Sequence, residues 1–130
     1  MPTKSQRTAQ AAYARVAAHT PLSAEYRSFA REFPTLVHTC GLAQAVAFAR
    51  AKGGQQEAYA NDLATVLTAA GYADSADAAG LAQLTREKPV MVYVRLSRDA
   101  LAAAVWLKRY VEALAEDSGR TPTTPQTQGG

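Results

Sequence analysis

The chain has 130 residues, 48% of them hydrophobic, with a net charge of +3, which suits one helical-bundle domain over residues 1–117 with a modest core. A single cysteine, Cys40, excludes an internal disulfide framework, and the longest uncharged run, residues 33–49, is too short and polar for a membrane span. No basic segment is followed by an apolar run and a cleavage site, so a soluble, cytoplasmic protein is expected. The 29 alanines, spread along the whole chain, bias it strongly toward helix.

The first helix is expected over 3–19, before Pro21. At about 100° per residue, Ala9, Tyr13, Val16 and Ala17 share one face, and Lys4, Arg7 and Arg15 lie opposite. A second helix, about 23–33, buries Tyr26, Phe29 and Phe33. Pro34 opens a third, since proline suits a first helical turn. This third helix carries no formal charge from Thr35 to Ala49 and reads as the central one of its bundle. Gly41 within it suggests a close helix crossing, and Gly53-Gly54 ends it. The fourth helix, about 55–70, puts Tyr59, Leu63, Val66, Leu67 and Ala70 on one stripe. Gly71 and Tyr72 then suit a Schellman end.

Ser75 is expected to cap a short fifth helix carrying Leu81 and Leu84. "PVMVYVRL" (89–96) has the β-branched residues of a strand but no partner strand, so it reads as helix. Ser97 and Asp99 are expected to cap a last helix running to about Asp117. Residues 118–130 have a tail's composition and are expected to be disordered. The chain is therefore all-α, a compact bundle of about five to seven helices.

Charge is unevenly distributed. Residues 1–52 hold seven Lys/Arg against two acids, 53–80 hold four acids and no base, and 81–109 hold six bases against two acids. No phosphate loop, nucleophile elbow or zinc-protease motif is present, so the chain is not expected to be an enzyme or to hold a cofactor or metal. His38 and Cys40, two apart on a helix, point in different directions and are expected to be a core histidine and a buried thiol. Lys4, Arg7 and Arg15, uninterrupted by acids, form the principal candidate for phosphate contact, with Arg27 and Arg31 extending it. In the last helix the stripe around Leu107 places Trp106 on one flank and Lys108 on the other. Arg109 lies one turn from Trp106, within cation–π reach. Lys108 and Arg109 are thus secondary candidates.

"EYRSFAREFPTLVHTCGLAQAVAF" (25–48) and "RLSRDALAAAVWLKRYVEA" (95–113), in this order and length, resemble the small α-helical subunit of Cmr-type (type III-B) CRISPR RNA-guided effector complexes. The resemblance implies a non-catalytic subunit that stacks along the backbone subunits. Its implied partners are the backbone and large subunits, further copies of itself, and guide and target RNA. A protein-only scaffold without RNA contact is the alternative.

Overall fold

The computed structural model describes the backbone of residues 2–73 and 75–120 and the side chains up to residue 115, and among these residues it contains only helices. Five helices follow in order: α1 (Lys4–Ala18), α2 (Ala24–Lys52), α3 (Gly54–Ala69), α4 (Ala78–Glu87) and α5 (Val90–Arg120). The tail from residue 121 onward lies outside the described residues, and residues 118–120 belong to α5.

Local chemistry explains most of the ends. Thr3 and Gln6 form a reciprocal capping box that opens α1. Ser23 accepts from the Tyr26 N–H to open α2. α3 ends as the sequence suggests: the Gly71 N–H reaches the Thr68 carbonyl and the Tyr72 N–H the Leu67 carbonyl, the paired bonds of a Schellman motif. Asp77, not Ser75, caps α4, its carboxylate accepting from the Gly80 N–H at 2.8 Å. Ser75 is instead buried, its hydroxyl bonded to the Ala64 carbonyl. Residues 89–96 are helical as expected, but no break follows at Ser97. Without Gly or Pro between 90 and 117, α5 runs straight through.

The break expected at Pro34 falls at Gly41. The helix continues through Pro34 because Phe29, Ala30, Phe33 and Val37 hold one buried face on both sides of it. Gly41 has φ 86° and ψ 162°, outside the helical region, and divides α2 into arms 24–40 and 42–52. The arms fold back on each other. Phe29 and Phe48 stack with centroids 6.2 Å apart, whereas 19 residues of straight helix would separate them by about 28 Å. The backbone N–H of Ala43, freed by the corner, donates to the Tyr93 hydroxyl at 3.1 Å.

The helix that packs against all four others is α3, not the uncharged stretch 34–49. Its Tyr59, Leu63, Val66 and Leu67 are fully buried. Tyr59 sits among Tyr26, Phe29 and Phe33, with ring centroids 5.1–5.8 Å away. Fully burying a leucine or aromatic side chain contributes about 1.5–3 kcal/mol, so α3 and this aromatic cluster dominate the core. His38, expected inside, is exposed: it follows the last buried position, Val37, on the outer side of the first arm. Cys40 is only partly buried, its thiol bonded to the Leu36 carbonyl.

Candidate functional site

Folding brings acids to two of the three α1 cations that the sequence leaves unopposed, Lys4 and Arg15. The buried positions of α1 are Thr8, Ala12 and Val16, and the exposed Tyr13 lies at the edge, against Tyr110. The helix is therefore turned by about a quarter turn from the expected orientation: Val16 stays buried, while Tyr13 and Ala17 are exposed. On a helical wheel, Thr8, Ala12, Arg15, Val16 and His19 fall within about 60° of the inward direction, and Lys4 lies about 80° from it. An alanine-rich helix has little apolar contrast between its sides, so the polar contacts decide its rotation.

Those contacts centre on two aspartates. Asp62, in the middle of α3, has a side chain only 3% exposed. Its Oδ1 takes the Arg15 Nε–H at 2.9 Å, and its Oδ2 lies 2.7 Å from His19 Nε2 and accepts the Tyr26 hydroxyl. Burial, and then the Asp62 charge, push the Tyr26 phenol far above its ordinary value, so it stays a donor. His19 also stacks on the Tyr26 ring at 4.7 Å. Sequence reasoning passed over Asp62, and its signal was weak: position 62 lies on the flank of the apolar stripe 59-63-66-67-70, about 40° beyond Val66, and only packing against α1 and α2 buries it there.

Asp99 is the second anchor. Its Oδ2 accepts from Lys4 Nζ at 2.9 Å and from the Tyr72 hydroxyl at 2.7 Å. Partial burial alone would raise its carboxyl, but hydrogen bonds from Lys4 and Tyr72 and the Lys4 and Arg98 charges hold it below the ordinary value of 3.8. Burial and the bond to Asp99 push Tyr72 up to about 12. A depressed carboxylate contributes stability that is fully present above its unfolded value and is lost as pH falls through the folded one. Wild type should therefore lose an advantage over Asp99→Asn between about pH 5 and pH 2, measured as converging melting temperatures. A gap that persists to pH 2 would contradict this.

Arg7 is placed differently. Its guanidinium donates to the Ala69 and Pro2 carbonyls, and the first contact sets a cation at the C-terminal end of α3. All three α1 cations thus have intramolecular partners, although Lys4 and Arg15 keep 49% and 39% of their side chains in water.

The other candidates converge elsewhere. Arg31 from the first arm of α2 and Arg109 from α5, distant in sequence, line one shallow cleft of about 630 Å³ with Glu112, Ala113 and Ala115. Arg27 stands one turn before Arg31 on the same arm, and Lys108 is half-buried next to Arg109. Among the described residues none of these four has an acid within 4.0 Å. Arg109 lies 5.4 Å over the Trp106 ring, the expected cation–π contact. Trp106 in turn stacks on Tyr110 at 5.7 Å, and Tyr13 meets Tyr110 edge-on at 5.4 Å.

Comparisons with known proteins bear on the chain as a whole. The family described as "CRISPR-associated protein (Cas_Cmr5)" matches residues 4–114. The chain is 44% identical over 120 residues to the CRISPR system Cmr subunit Cmr5 of Thermus thermophilus, covering 90% of this chain and 100% of that protein. It is likewise similar to the crystal structure of a CRISPR-associated Cmr5 family protein from Thermus thermophilus. That match has a TM-score of 0.77 at 44% identity and covers 88% of this chain and 98% of the other.

Proposed function

The chain belongs to the Cmr5 family of CRISPR-associated proteins, and from that premise we propose that it is a non-catalytic small subunit of a type III-B Cmr effector complex. In this reading it works in the cytoplasm, stacks along the backbone subunits beside the large subunit and further copies of itself, and supports the guide and target RNA. The observation that carries it is the near-complete family match over residues 4–114.

RNA contact falls to the α2–α5 face. Arg31 and Arg109 line one cleft there with Glu112, no carboxylate among the described residues lies within 4.0 Å of either, and Arg27 and Lys108 adjoin them. Cations in that state are available to phosphates, while Lys4, Arg7 and Arg15 serve first to fix α1 on α3 and α5. Base identity is left to guide–target pairing, so the face reads backbone.

The test is Arg31→Ala/Arg109→Ala. Each lost phosphate contact on a single strand reduces the log–log salt slope of binding by about 0.7, so the double variant should lose about 1.4 and bind labelled single-stranded RNA more weakly. Both positions are exposed, so melting temperature should stay within about 2 °C. Unchanged affinity and slope would favour the protein-only scaffold, the reading to which the exposed aliphatic residues of α5 lend some support.

A further inference from the structure

Where α5 begins, three aliphatic side chains face water. Val90 and Met91 are each 75% exposed, and Val94, one turn after Val90, is 47% exposed. Scattered exposed hydrophobics are ordinary, but three large ones at one helix end form a patch. Arg86, Lys88, Arg95 and Arg98 are exposed around them. In sequence these cations alternate with Glu87 and Asp99, which suggests mutual neutralisation. In the fold Asp99 is bound to Lys4 and Tyr72, and Glu87 accepts from Gln83. Among the described residues none of the four cations has an ion-pair partner. The surface is thus an aliphatic centre with a basic rim.

We propose that this surface docks a protein whose contact face is an apolar cluster ringed by carboxylates. Aliphatic side chains gain by leaving water against other apolar groups, and the basic rim selects and orients an acidic one. Nucleic acid fits less well. Valine and methionine offer no aromatic face for a base to stack on, and against phosphates they would remain idle. The chain's own exposed aromatics do not supply the complement, since Phe48 carries Lys52 above its ring and Tyr13 packs against Tyr110. The partner is therefore a different chain. The proposal rests on the subunit reading, which makes that chain another member of the Cmr complex.

The experiment co-expresses the chain with the other Cmr subunits, captures the complex through a tag on one of them, and treats it with ribonuclease. Met91→Glu/Val94→Glu should lower recovery of the chain by about tenfold or more, the loss expected when a central apolar contact is replaced by a buried charge. Arg95→Glu/Arg98→Glu should also lower it, and Met91→Leu/Val94→Ile should not. Circular dichroism and melting of each isolated variant should match wild type, since these side chains face water. Full recovery of both charged variants overturns the docking surface and leaves the subunit reading intact. Full recovery combined with weaker binding of labelled single-stranded RNA also overturns it, and assigns the surface to nucleic acid. Failure to recover even wild type overturns the subunit reading and this surface together.

Discussion

Asp62→Ala is expected to destabilise the protein by about 2–4 kcal/mol, the largest effect of any single polar substitution in the described residues. The reason is what remains behind. The Tyr26 hydroxyl, fully buried, loses its acceptor, and the guanidinium of Arg15 and ring of His19 lose the group that draws them against α3. Arg15 keeps access to water, which moderates the cost and keeps it below that for a sealed ion pair. For a domain of this size the loss corresponds to a fall of roughly 10 °C in melting temperature. Asp62→Asn keeps the shape and one acceptor oxygen and should lose less, so the difference isolates the charge. A midpoint of Asp62→Ala within about 2 °C of wild type would show that the cluster contributes little.

The same geometry changes what an alanine scan of α1 reports. On the sequence alone, replacing Lys4, Arg7 and Arg15 together should weaken RNA binding without lowering the melting temperature. With Asp62 buried beside it, Arg15→Ala leaves a carboxylate with only His19 and Tyr26 for company and is expected to cost about 1–3 kcal/mol. Weaker RNA binding by that triple variant could then reflect a loosened α1. Arg31 and Arg109, exposed and unpaired among the described residues, separate binding from folding.

The sequence carried the elements whose signals are local. The stripe of α3, the Gly71-Tyr72 ending, the helicity of residues 89–96 and the Trp106–Arg109 contact each depend on neighbours within about two turns. What it could not carry depends on partners far along the chain. The rotation of α1 is set by Asp62 and Asp99, 47 residues from Arg15 and 95 from Lys4. Nothing within α1 distinguishes an alanine face that is buried from one that is not. The pairing of Arg31 with Arg109 arises only when α2 lies along α5. The basic rim near Val90 was hidden for a related reason: Asp99 looks like a neutralising neighbour in sequence, but in the fold its hydrogen bonds go to Lys4 and Tyr72.

Gly41 shows the same limit in the backbone, and its replacement is the second large expected effect. At φ 86° and ψ 162° an L-residue sets its Cβ against its own backbone, a conformation essentially reserved for glycine. Gly41→Ala should cost about 2–3 kcal/mol. Crowding is not the cause, because the nearest atom to an added Cβ would be the Tyr93 hydroxyl at 3.5 Å, an ordinary contact. Nor can the corner relax into continuous helix. Straightening α2 would carry Phe48 about 28 Å from Phe29 and pull the Ala43 N–H off Tyr93. Asparagine relieves strain only where ψ is near +45°, so Gly41→Asn should be as costly as alanine. Equilibrium urea unfolding of the two variants distinguishes the cases. Equal, large losses identify the corner as a glycine-only turn, whereas an asparagine variant close to wild type would mean that the chain has found a left-handed bend and that the two arms of α2 tolerate a different angle.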